Sequence, residues 1–86
     1  MTRDDIVQLI LTERARQFNL PGREFDVTNS PNDWVAIIAS YSLDCITRNH
    51  RKPDVHYYEE SLVKAAAVIL AALEHMDMMK KEGHFQ

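Results

Sequence analysis

The sequence predicts an all-α fold: three helices forming one domain over residues 1–86, completed by association of several copies of the chain. Three observations carry this. Two segments open with helix-capping signals, Thr2-x-x-Asp5 and Ser30-Pro31-x-Asp33. A third, alanine-rich run keeps a helical pattern from about Val55 to Lys81. No stretch alternates apolar and polar residues as a half-buried strand does.

The first helix starts at Thr2, whose hydroxyl can cap it while Asp5 completes the box. It runs to about Phe18 and ends at Asn19-Leu20-Pro21-Gly22, where proline and glycine break the pattern. At ~100° per residue, Ile6, Val7, Ile10, Leu11 and Phe18 share one arc, while Gln8, Thr12 and Arg16 point away. Glu13, Arg14 and Gln17 fall inside that apolar arc. Polar groups turned toward a buried face are costly unless paired, so these three mark either a satisfied network or a recessed site. The loop Arg23–Asn29 follows, with Phe25 and Val27 as expected anchors and Glu24 and Asp26 as a pair of acids.

The second helix has the clearest start: a capping serine, a proline at the first helical position and an acid at the third. It is expected to reach about Arg48. Trp34, Val35, Ile37, Ile38, Tyr41, Leu43, Cys45 and Ile46 spread almost all the way around it. A helix apolar nearly all round is buried on several sides, and so short a chain needs a second copy to do that. Asn49–Lys52 connect to Pro53-Asp54, which open the third helix. There Leu62, Ala65, Ile69, Leu73, Met76 and Met79 form a stripe, and Ala67 and Ala71 permit close approach of another helix. Gly83 ends it, and Glu82–Gln86 should fray.

Composition narrows the function. With 86 residues, hydrophobic content of 45% and net charge −3, the chain is globular and has no general electrostatic case for nucleic acid polymers. Arg48, His50, Arg51 and Lys52 cluster, but the run is short and loop-like. The lone Cys45 forms no disulfide framework within the chain. No signal peptide and no apolar run of membrane-spanning length is found, so the expectation is cytoplasmic, in the host cytoplasm if the protein is viral. His50, His56, His75 and His84 lack zinc spacing, and neither a phosphate loop nor a nucleophile motif is present.

Carboxylates remain as candidate Mg²⁺ ligands: Glu13, Glu24, Asp26, Asp33, Asp44, Glu59, Glu60, Glu74 and Asp77. Glu74-x-x-Asp77 places two on one face, although acids near a helix end are ordinarily just solvated. Glu60 and Lys64 are spaced for an i,i+4 ion pair. Trp34 and Tyr41, seven apart, share a face of the second helix; they are either core or a platform on which a base stacks, with Arg14 or Lys64 meeting phosphate.

In order, these blocks resemble the small phage and bacterial members of the MazG-like group of all-α nucleotide pyrophosphohydrolases. The resemblance runs from about residue 10 to residue 78. It is carried by Glu13-Arg14-x-Arg16-Gln17, the acidic loop with Glu24 and Asp26, and Asp33-Trp34-x-Ala36-x-x-Ala39-x-Tyr41. The last block is Leu62-Val63-Lys64-Ala65-x-Ala67-x-x-Leu70-Ala71-x-x-Glu74-x-x-Asp77. It implies an obligate oligomer with ligand pockets between helices or subunits. In catalytic relatives E-x-x-E and E-x-x-D pairs hold Mg²⁺, which activates water for cleavage between the α and β phosphates of a nucleoside triphosphate. This chain departs from the pattern: between Trp34 and Ile46 the only acid is Asp44, and Lys64 stands where an acid would follow Glu60.

The expectation is therefore a homo-oligomeric protein that holds a small nucleotide-type ligand without turning it over. A viral sponge for a host immune nucleotide signal is one such role. The binding residues are then Glu13, Arg14, Gln17, Trp34, Tyr41, Glu60 and Lys64, with no cofactor. The alternatives are an Mg²⁺-dependent pyrophosphohydrolase with Glu13, Glu59, Glu60 and Asp77 assembled across subunits, and a non-catalytic interaction module.

Overall fold

The computed structural model describes residues 1–45 and 52–86, apart from the side chains of Arg23 and Phe25. Every regular element among the described residues is helical. Helix α1 (Arg3–Phe18) opens at the predicted box. The Asp5 backbone N–H donates to the Thr2 hydroxyl at 3.1 Å, and the Thr2 N–H donates to the Asp5 carboxylate at 3.0 Å. The chain then turns at Gly22, whose φ of 94° lies in the left-handed region that glycine enters without steric cost. A short 3-10 turn covers Arg23–Thr28.

Helix α2 (Pro31–Asp44) starts at a second box between Ser30 and Asp33. It closes at Cys45, short of the expected Arg48. The remainder of that expectation, with Arg48, His50 and Arg51 of the basic cluster, lies outside the described residues.

The long third helix is two helices. Helix α3 (Val55–Glu74) is capped by Asp54, whose carboxylate accepts the Tyr57 N–H at 2.9 Å. His75 then sits at φ −93°, ψ 3°, outside helical geometry. Its ring Nδ1–H donates to the Ala71 carbonyl at 2.7 Å, an oxygen that the His75 backbone N–H also reaches. Helix α3 ends at this residue, and α4 (Met76–Lys81) follows directly.

Helix α3 is the centre of the fold: α1 lies against one side of it and α2 against another. The core cluster is small, made of Trp34 from α2, Val68 and Ala71 from α3 and Met79 from α4. Ile38, Tyr41, Ala72 and Met76 pack around it. Several apolar expectations change here. The predicted α3 stripe splits: Ala65 and Met79 are buried, whereas Leu62, Ile69 and Leu73 are exposed. Ala67 and Ala71 are buried within the chain itself. Of α2, only Trp34 is buried, and Val35 and Leu43 stand 63% and 61% exposed. Val27, expected to anchor the loop, is half exposed. None of the described helices is long and apolar enough to cross a membrane.

Candidate functional site

On α1 three polar residues are turned inward along with the apolar Ile10. Glu13, Arg14 and Gln17 are partly buried, while Leu11 and Phe18 are exposed. Each of the three is paired. Gln17 donates its amide N–H to the Lys64 carbonyl at 3.3 Å, tying α1 to the middle of α3. Arg14 donates from Nε to Glu74 Oε1 at 3.2 Å, and its guanidinium lies 5.7 Å from the Phe18 ring centre. Arg16, expected to point away, reaches back and grips Glu13 with two bonds of 2.8 and 2.6 Å.

The seven predicted binding residues divide between two clefts. Arg14, Gln17, Trp34 and Tyr41 line the first, a hollow of about 170 Å³ between α1, α2 and α3. The Leu20-Pro21-Gly22 turn and Asp26 close one side of it, and Val68 and Ala71 form its floor. Glu13, Glu60 and Lys64 line the second, about 380 Å³, together with Glu59 and His56. Arg14 and Lys64 therefore do not line the same cleft within one chain. In the second cleft Lys64 Nζ is held by Glu60 at 2.7 Å, the ordinary i,i+4 pair that their spacing predicts.

Trp34 dominates the first cleft. It is 4% exposed, and its indole ring stacks at a 35° tilt on His75 with 5.1 Å between ring centres. The indole Nε1–H is fully buried and has no hydrogen-bond acceptor within the described residues. A buried donor left unpaired costs about 1–3 kcal/mol. Among the described residues it is thus an unpaired buried donor in the wall of the cleft.

A neighbouring hollow of about 320 Å³ shares Arg14 and Asp26 with the first cleft and adds Phe18, Glu24, Val27 and His75. Arg14 stands at the junction, with a side chain only 13% exposed and a planar fork of further N–H donors beyond the Nε given to Glu74. Sequence reasoning missed His75, which is 41 positions from Trp34 and follows no motif spacing. Only the fold brings the two rings together.

Within one chain the carboxylates proposed for Mg²⁺ do not all come together among the described residues. Glu13, Glu59 and Glu60 share the second cleft, but Asp77 lies on α4, beyond the break at His75. Glu74 is engaged by Arg14, so the Glu74-x-x-Asp77 spacing is not a continuous helical face. No three His, Cys, Asp or Glu side chains among the described residues are grouped as a metal site.

Two carboxyls are held below their usual range. Hydrogen bonding from Arg16 lowers Glu13, and the Ser30 backbone N–H and hydroxyl lower Asp33. A depressed folded-state pKa adds stability that is present above the unfolded value and is lost as pH falls through the folded one. Urea unfolding midpoints should accordingly hold steady near neutrality and drop below about pH 4. Glu13→Gln combined with Asp33→Asn should flatten that drop. An unchanged acid slope in the double variant contradicts this assignment.

No family model, curated protein or solved structure matches the chain.

Proposed function

We propose that this protein binds a small nucleotide-type ligand in the Trp34 cleft and holds it without cleaving it. The observation that carries the reading is the buried indole N–H of Trp34, without an acceptor among the described residues, in a cleft that Arg14 also lines. A planar heterocycle offers an acceptor for such an N–H and a face for Tyr41. A phosphate offers Arg14 the charge-assisted partner that it now finds in Glu74. Asp26, in the same wall, accepts from exocyclic amino groups. The cleft itself is the size of a ring rather than of a whole nucleotide, so the phosphate lies toward the adjoining hollow past Arg14. Glu13, Glu60 and Lys64, in the second cleft, are too occupied with Arg16 and one another to be counted in this pocket.

Holding without turnover is the action of a sink. In a virus, such a chain acts as a sponge for a host immune nucleotide signal. Titration calorimetry of the pure protein against nucleoside monophosphates, triphosphates and cyclic nucleotides tests the reading, with pyrophosphate release followed in Mg²⁺. Saturable binding of at least one compound without release is expected. An absence of binding across the panel overturns the reading. Release that disappears in Glu60→Gln replaces it with hydrolysis at the second cleft.

A further inference from the structure

The third face of α3 is apolar and uncovered. Helices α1 and α2 lie along two sides of α3. On the remaining side Val55, Tyr58, Leu62, Ile69 and Leu73 project with exposures between 40% and 68%. At ~100° per residue these five fall within one arc of the helix. The stripe extends for roughly 27 Å at 1.5 Å per residue. Along its N-terminal half, Ile6 and Ile10 of α1 join Tyr58, Leu62 and Ala66 to wall an apolar groove of about 450 Å³.

The surface area says how much is missing. The chain exposes 6703 Å² at 10.0 kDa. A folded monomer of that mass is expected to expose about 5,200 Å². The excess, about 1,500 Å² per chain, is shared by exposed apolar residues of α1 and α2 as well as α3, and it leaves room for the ~800 Å² that each partner contributes to a standard interface.

The stripe also has a symmetry of its own. From Tyr58 to Leu62, Ile69 and Leu73 the steps are 4, 7 and 4 residues, which read the same in both directions about a midpoint between Ala65 and Ala66. A two-fold contact needs such a self-complementary patch, because residue i must meet residue j twice.

We propose that two copies of this chain pair through the exposed face of α3, antiparallel, with the two-fold axis passing beside Ala66. In that register Leu62 of each copy meets Ile69 of the other, and Tyr58 meets Leu73. The C-terminal half of each stripe fills the groove between α1 and α3 of its partner. Ala66 at the crossing lets the helix axes approach to about 8 Å, the lower end of the usual range.

Sedimentation equilibrium and thiol crosslinking of the full chain test this. The native protein is expected at twice 10.0 kDa, and Ile69→Glu, which introduces a charge at both copies of the contact, at the monomer mass. In a Cys45→Ser background, Ala66→Cys should form a disulfide-linked dimer on mild oxidation. Leu62→Cys alone and Ile69→Cys alone should not, being about 10 Å from their own copies along the axis, but an equimolar mixture of the two should crosslink. Any of three results overturns the proposal: a native monomer, which leaves the face to another occupant, an oligomer that Ala66→Cys does not crosslink, or self-crosslinking of Leu62→Cys at the rate of Ala66→Cys.

Discussion

Replacing Trp34 with alanine is expected to destabilise the fold by about 3–5 kcal/mol, the range for truncating a buried large aromatic. The core makes this site expensive. Its other buried apolar members are Ala65, Ala67, Val68, Ala71 and Met79, of which three are alanines. Trp34 is the only buried residue of α2 among those described, so it is the main side chain joining α2 to α3 and, through His75, to the start of α4. Small domains have only about 5–15 kcal/mol in total. Urea unfolding should therefore show the midpoint lowered by a large fraction of its native value. A midpoint within the range of surface substitutions means that Trp34 is not the keystone of the core.

The second large effect falls on ligand affinity. Arg14→Ala is expected to weaken binding of the tightest phosphate-bearing compound about 10- to 100-fold, since hydrogen bonds to charged groups contribute roughly 1.5–3 kcal/mol. Lysine should not restore it, because a point charge does not reproduce the planar fork. Glu74→Gln should act in the opposite direction and tighten binding severalfold. Glu74 is half exposed and now occupies Arg14 Nε at 3.2 Å, so it competes with an incoming anion. Calorimetric titrations of the three variants check this pattern. Equal affinity in native protein and Arg14→Ala removes Arg14 from the binding account.

How much of this was legible in the sequence follows the range of the forces involved. Both capping boxes were readable because each is closed by residues three positions apart, Thr2 with Asp5 and Ser30 with Asp33. The pairing of Glu60 with Lys64 was readable for the same reason. The break at His75 was not, because no glycine or proline marks it. It depends on a side-chain bond to Ala71 and on a stack with an indole from another helix.

The inward turn of Glu13, Arg14 and Gln17 was visible as a disturbance of the apolar arc, but the partners that satisfy them come from different distances. Arg16 is three residues away, while Lys64 and Glu74 are on another helix. Periodicity alone also read the α3 residues as one apolar stripe. It could not show that α1 and α2 would take two sides of the helix and leave Leu62, Ile69 and Leu73 facing outward. The division of the site residues between two clefts is likewise a product of tertiary packing, since Arg14 and Lys64 carry no local signal of which hollow each will line.

The most direct test of the Trp34 cleft as a binding site is the affinity of Trp34→Phe for the tightest ligand of the calorimetric panel, measured alongside its unfolding midpoint. Phenylalanine keeps an aromatic ring in the core and removes only the indole N–H and part of the ring's area. Because the N–H has no acceptor within the described residues, its removal relieves an unpaired donor and offsets much of the lost contact, so stability should change little. Binding should weaken about tenfold, the loss of one hydrogen bond worth about 1.4 kcal/mol. Undiminished affinity in a stably folded Trp34→Phe would contradict the account.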